Sequence, residues 1–225
     1  GATLMCASAT AFHALRKSRL KGGDRVAIFG VGGLGQSAVQ LAKAFGALDV
    51  YAVDIHEDKL KLAAHYGAIP VNGKKVDAVA EIKKLTGGKG VDVAIEMIGL
   101  RQTMQQAVQV AGVMGRVVIV GLSNQPLEID TYNELLGKEV ELIGANDHHL
   151  QELPLLVEMA RRNILDTSQI VTKTVPLDAD AVNQVLDDLE RFSGDVRTVI
   201  VPASPQTDLT PDSISTGLNT SVSTI

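Results

Sequence analysis

Apolar positions along the chain follow two rhythms. Short, nearly unbroken apolar runs stand at residues 25–30 (RVAIFG), 49–54 (DVYAVD), 68–71 (AIPV), 91–96 (VDVAIE), 116–121 (RVVIVG) and 139–144 (EVELIG). Between them, residues 36–45, 57–65, 76–85 and 101–110 carry apolar stripes at helical spacing, as in Ala38, Val39, Leu41 and Ala42. An unbroken apolar run is what a strand covered on both faces looks like, and a stripe is what the covering helix looks like. Their alternation predicts βαβ units and a parallel sheet. Local punctuation agrees. Glu57 and Asp58 fall in the first turn of 57–65, where the helix dipole favours acids, and Gly67 falls just past its end. Gly87-Gly88-Lys89-Gly90 reads as a turn. The expected fold class is therefore α/β: a doubly wound, parallel, six-stranded sheet made of two βαβαβ halves.

Two regions stand outside that unit. Residues 1–20 read as a linking helix ahead of the first strand. Beyond residue 169, the stretches 171–176 and 196–202 are strand-like, with a helix over 179–192 between them. They are either edge strands of the same sheet or parts of a second, incomplete domain. Residues 203–225 shift to Ser, Thr, Pro and Asp, which reads as a flexible or appended tail. The expected layout is thus 1–20 linking helix, 21–168 nucleotide-binding domain, 169–202 return segment and 203–225 tail. The chain opens at Gly1 in sequence that reads as mid-domain, so a fragment or processed chain is expected.

Composition narrows the function classes. A chain of 225 residues with 45% hydrophobic residues can bury a sizeable core. A net charge of −5 offers nothing to nucleic acid or anionic lipid, and with 3% aromatics and no Trp there is little to stack bases on. No apolar run approaches the ~18 residues of a membrane span. Cys6 is the single cysteine. One thiol forms no internal disulfide and no structural zinc knot, which fits a reducing cytoplasm.

The chemistry is concentrated at Gly30-Val31-Gly32-Gly33-Leu34-Gly35, a G-x-G-x-x-G that leaves a predicted strand and opens a predicted helix. In a Rossmann unit Gly30 permits the tight turn, Gly32 lets the backbone approach a pyrophosphate, and Gly35 lets helix and strand pack closely. The anion then meets free N–H groups at the positive end of the helix dipole. Asp54 ends the second strand, 54 − 35 = 19 residues after the last glycine. Its carboxylate can accept both hydroxyls of the adenosine ribose and would repel a 2′-phosphate, which predicts NAD(H) over NADP(H). No Arg follows it closely; the next residues are Ile55, His56, Glu57 and Asp58.

With those residues in place, the sequence resembles the zinc-type medium-chain dehydrogenases, the alcohol, polyol and threonine dehydrogenases. The stretches LMCASATAFHAL, GDRVAIFGVGGLGQSAVQLAKAFGA, YAVDIHEDKLKLAAHYGA, EMIG, GRVVIVG and VRTVIVP carry the resemblance over residues 2–202. It implies that Cys6 is a thiolate ligand of a catalytic zinc and that Thr10 lies beside the nicotinamide. Gly33 and Leu34 would donate to the pyrophosphate, with Arg197 also on it. Ile55 would flank the adenine and Lys59 lie near the ribose, while Ile98, Val120 and Leu122 would line the nicotinamide pocket. The family carries a GroES-like catalytic domain ahead of this region, which brings the remaining zinc ligands. A catalytic zinc needs three protein ligands, so cofactor binding without turnover is expected of these residues alone. The substrate of the complete enzyme would be a small alcohol or carbonyl compound.

Other residues receive plainer readings. Without the resemblance, Cys6 reads as a small buried hydrophobe. His13 and His65 read as satisfied boundary residues, His56 as a helix start, and His148-His149 as a pair without metal-site support. Two other functions remain open: a non-catalytic NAD-binding module, and a nucleoside-binding enzyme such as an adenosylmethionine-dependent methyltransferase. Residues 127–130 (LEID) and the run at 139–144 should lie at a sheet edge, which invites pairing into a homodimer.

Overall fold

The computed structural model describes residues 3–191 and 196–202. Six strands form one parallel sheet: β1 (Arg25–Phe29), β2 (Asp49–Asp54), β3 (Ile69–Asn72), β4 (Val91–Glu96), β5 (Ala111–Ile119) and β6 (Glu141–Gly144), in the order β3-β2-β1-β4-β5-β6. This is the doubly wound arrangement that the apolar rhythm predicts. The linking helix is a π-helical turn over Leu4–Ser8 running into α1 (Ala9–Lys17). The crossover helices are α2 (Gly33–Ala44), α3 (Glu57–His65), α4 (Ala78–Leu85) and α5 (Arg101–Val110).

The central strands are apolar throughout because both faces are covered. In β1, Val26 and Ile28 join one core with Phe12 and Leu15 of α1 and Leu41 of α2. Ala27 and Phe29 turn to the other core, with Tyr51, Ile82 of α4 and Val108 of α5. Each fully buried side chain of this size stabilises the fold by about 1.5–3 kcal/mol. Because β2 and β4 flank β1 on opposite sides and are reached by opposite windings, a crevice opens beyond the carboxyl ends of these strands.

Several boundaries differ from expectation. Helix α2 begins at Gly33, inside the glycine motif. β5 starts at Ala111, well before residue 116, and its pairing with β4 slips between Val91 and Val93. β6 starts at Glu141 because Glu139 adopts a left-handed φ of 53° that no strand accommodates. Helix α6 (Leu153–Arg161) was not foreseen; Pro154 sits in its first turn and Leu156 and Met159 are buried. The open alternative for the C-terminal strands is decided by pairing. β7 (Lys173–Pro176) and β8 (Thr198–Val201) pair in parallel with each other, joined through α7 (Ala179–Glu190), and form a sheet separate from the six strands. The expected helix end at Phe192 and the tail at 203–225 lie outside the described residues. Among those described, no helix is long and apolar enough to cross a membrane.

Candidate functional site

The crevice is built around the turn after β1. Gly30 has φ +90°, and its N–H donates to the Val53 carbonyl at 2.8 Å, tying the turn to β2. A Cβ on Gly35 would stand 2.0 Å from the Gly30 carbonyl oxygen, so only glycine lets α2 press this closely on the strand end. Gly32 caps α2 without any side-chain hydrogen bond. A Cβ on Gly32 would meet nothing within 4 Å, so the helix N-terminus faces open space. Helix N-termini carry unsatisfied N–H groups and partial positive charge, a setting for an anion. Leu34 is half-buried in the first turn. Arg197, at the start of the C-terminal β-strand pair, lies alongside this end: its Cδ is 3.3 Å from where a Gly33 Cβ would stand.

Asp54 stands beside that turn, 9% exposed. Its Oδ2 accepts the Val31 N–H at 2.9 Å. Its Oδ1 accepts the N–H of Ile55 at 2.7 Å and of His56 at 3.0 Å, and lies 3.1 Å from His56 Nδ1. Ile55 is exposed and Lys59 half-buried one turn into α3. The following acid, Glu57, is held by Lys75 Nζ at 2.5 Å and Asn72 Nδ2 at 2.7 Å, and those bonds keep its carboxyl below the usual carboxylate range. The sequence reading missed Gln36, which is fully buried. Its Nε2 donates to the carbonyls of Val31 and Lys59, both at 2.8 Å, and so joins the glycine turn to α3.

On the other side of β1, Ile98 packs so near Gly30 that a Cβ there would fall 2.5 Å from Ile98 Cγ1. Val120 N–H donates to the Glu96 carbonyl at 2.9 Å. The Leu122 carbonyl would lie 2.2 Å from a Cβ on Gly99, while the Leu122 side chain is exposed. Ile98, Val120 and Leu122 are thus gathered where β4 and β5 end. Thr10 is buried within α1. The reading also missed Glu96, a fully buried carboxylate that ends β4 and accepts from Ile98 N at 2.9 Å, Gly99 N at 2.9 Å and Thr103 Oγ1 at 2.7 Å.

The metal side is different. Cys6 is exposed on the π-helical turn, which overturns its reading as a small buried hydrophobe. Among the described residues no three His, Cys, Asp or Glu gather where they could hold a metal ion, so these residues do not fit a catalytic zinc by themselves. The nearest gathering of titratable groups is elsewhere. His13 Nδ1 lies 3.1 Å from Glu152 Oε2, and the His149 ring packs edge-on against His13 at 4.7 Å. Burial pushes the Glu152 carboxyl up, but the His149 N–H, the His13 ring and Arg16 outweigh it and hold it below the usual range. His13 and Glu152 lie 139 residues apart in sequence, so this pairing left no local pattern to read.

Comparison with known proteins bears on the whole crevice. Residues 33–161 match the model of the zinc-binding dehydrogenases. The chain belongs to this family. It is 34% identical over 196 residues to (R,R)-butanediol dehydrogenase of Bacillus subtilis (strain 168), covering 87% of this chain and 56% of that protein. An NAD-dependent alcohol dehydrogenase of Sulfurisphaera tokodaii is 32% identical over 203 residues, covering 89% of this chain and 57% of that protein. The crystal structure of the alcohol dehydrogenase from Aeropyrum pernix superposes with a TM-score of 0.80 at 36% identity, covering 89% of this chain and 57% of that one. The chain therefore spans about half the length of the relatives it matches. The stretch that matches the family model opens at Gly33, inside the glycine turn, and runs through α6, so it takes in Asp54, Ile98, Val120 and Leu122, while Gly30, Gly32 and Arg197 lie outside it.

Proposed function

We propose that this chain is an NAD(H)-binding unit of a zinc-binding dehydrogenase and that, by itself, it holds the dinucleotide without turning over an alcohol. One observation carries the reading: Asp54 stands beside an uncapped helix N-terminus whose glycine turn leaves open space over Gly32. In this reading the turn from Gly30 to Gly35 and Arg197 hold the pyrophosphate. Asp54 takes the adenosine ribose, with Lys59 near it and Ile55 against the adenine. Thr10, Ile98, Val120 and Leu122 border the nicotinamide. When bound, the nicotinamide supplies a carbon that accepts or gives hydride. The domain layout follows: 1–20 as linking helix, 21–168 as the cofactor domain, and 169–202 as the return toward a catalytic domain.

A second reading extends the first to the whole protein. The names of the relatives and the place of Cys6 in the opening helical turn support a zinc-dependent alcohol or polyol dehydrogenase, passing hydride between a small alcohol or carbonyl compound and NAD. The exposed edge strand β6, with Leu136 and Leu142 outward near it, supports a homodimer. A monomer mass in light scattering at micromolar protein would remove that assignment. The lone thiol of Cys6 suits a reducing cytoplasm, which fractionation of the natural source would check.

The deciding experiment is a fluorescence titration of the purified chain with NADH and NADPH. NADH is expected to bind at least about tenfold tighter, ~1.4 kcal/mol, and added zinc with an alcohol should give no reduction of NAD. Tighter NADPH binding would overturn the role of Asp54. Turnover by this chain would overturn the non-catalytic reading in favour of the second one.

A further inference from the structure

We infer that Gln36 is a positioning residue for the dinucleotide: its buried carboxamide fixes the Val31–Gly32 peptide so that the Gly32 N–H points at the pyrophosphate. The inference rests on the dinucleotide reading above and adds to it a donor ahead of Gly33 and Leu34.

Gln36 ends the first turn of α2 and is fully buried. A carboxamide brings two N–H donors and one acceptor oxygen. Both donors are used: Nε2 gives one N–H to the Val31 carbonyl and one to the Lys59 carbonyl, each at 2.8 Å. Oε1 has no partner among the described residues. A buried acceptor left unpaired is destabilising, but turning the carboxamide over would set that oxygen against the two carbonyls. The side chain is therefore held in the one orientation that serves Val31 and Lys59, and its own oxygen goes without.

The peptide between Val31 and Gly32 is trans and planar, so its C=O and N–H point in opposite directions. Gln36 draws the C=O into the interior. The Gly32 N–H is thereby turned outward, where it meets no backbone acceptor among the described residues. The space beside Gly32 is open, since a Cβ there would meet nothing within 4 Å. The preceding peptide is fixed too, because the Val31 N–H donates to Asp54 Oδ2 at 2.9 Å. On its other side the carboxamide is anchored to the Lys59 carbonyl in α3, so it cannot follow Val31 if the turn moves. Glycine's backbone rotates freely and Gly32 has no side chain to hold it. Without the clamp, the Val31–Gly32 peptide can swing and take its N–H off the anion.

The test uses the full chain, labelled for amide NMR, with two ligands: ADP-ribose, which carries the pyrophosphate, and adenosine, which does not. In the parent chain the Gly32 amide signal should shift on ADP-ribose and not on adenosine. Gln36→Met keeps the length of the side chain and removes both donors. It should weaken ADP-ribose about tenfold relative to adenosine and diminish the Gly32 shift, while the Gly33 and Leu34 amides still respond. A thermal melt checks the fold. If Gln36 only braces the structure, Gln36→Met weakens both ligands alike and leaves the Gly32 shift of the folded protein unchanged, which overturns the inference. If the variant does not fold, the parent still decides: ADP-ribose binding with no response at Gly32 overturns the role of Gln36 and leaves the dinucleotide reading standing. If the parent chain binds neither ligand, the dinucleotide reading falls and the role of Gln36 with it.

Discussion

Asp54 and Glu96 are the same device used twice. Each ends a strand that pairs in parallel with β1, one on either side. Each turns its carboxylate back on the N–H groups that immediately follow: Ile55 and His56 for Asp54, Ile98 and Gly99 for Glu96. They part in what surrounds them. Glu96 is wholly enclosed and locked by Thr103 Oγ1, and the neighbouring turn is filled so tightly that a Cβ on Gly99 would stand 2.2 Å from the Leu122 carbonyl. Asp54 keeps a small accessible face, and one of its donors is the ring of the partly exposed His56. The turn beside it leaves Gly32 open. The acid proposed to take the ribose and a structural acid therefore share a carboxylate, strand position and backbone bonding. What separates them is the space left over.

The comparison breaks most sharply at Glu96. In Glu96→Gln an amide –NH₂ must replace one acceptor oxygen among fixed donors, leaving a buried N–H unpaired. A hydrogen bond to a charged group is worth about 1.5–3 kcal/mol, and orphaning a buried donor adds to that loss. Urea denaturation should show a loss of about 3 kcal/mol with an unchanged slope, while the protein that remains folded still binds NADH. A loss below about 1 kcal/mol would mean that Glu96 does not brace the turn into α5.

Asp54→Asn should invert that pattern. The amide oxygen can still serve the Ile55 and His56 N–H groups, but the –NH₂ then faces the Val31 N–H, so stability should fall by about 1–2 kcal/mol, less than at the wholly enclosed Glu96. The ribose loses a charged acceptor and the repulsion of a 2′-phosphate disappears. NADH affinity should drop about tenfold to a hundredfold, ~1.4–2.7 kcal/mol, and the preference over NADPH should vanish in the same titration. Equal stability losses in the two variants, with binding unaffected in both, would abolish the distinction.

How much of this was legible in the sequence follows from what each feature depends on. The central strands were legible because a strand buried on both faces has to be apolar throughout, and Val26 to Phe29 meet that demand. Asp54 was legible through its 19-residue spacing from Gly35, which the geometry of the βαβ unit imposes. Glu96 was not, because an acid closing an apolar run has no fixed distance to a second motif; the faint signal was the repetition of DVYAVD in VDVAIE. His56 was readable as a helix start, and it is the N-cap of α3, but the side to which its ring turns is a tertiary fact. Arg197 lies beside Gly33 from just ahead of β8, a proximity across about 160 residues that no local pattern announces. The buried His13–Glu152 pair joins α1 to the turn before α6, and no local pattern announces it.

The smallest effect is expected at Gly32, and it isolates the open space from everything else. Its backbone, at φ −72° and ψ −156°, lies on the side that other residues adopt, and a Cβ there meets nothing within 4 Å. Gly32→Ala should therefore change stability by no more than about 0.5 kcal/mol, whereas Gly99→Ala faces both a φ of +88° and the Leu122 carbonyl. The methyl group would occupy the approach to the first N–H groups of α2, where a pyrophosphate must come within hydrogen-bonding distance. NADH affinity should fall about tenfold, while adenosine, which has no phosphate, should bind Gly32→Ala as it binds the parent chain. If NADH and adenosine weaken together, the methyl has disturbed Asp54 and not the anion site. If neither weakens, the pyrophosphate does not cross Gly32, and the opening beside Asp54 serves some other part of the ligand.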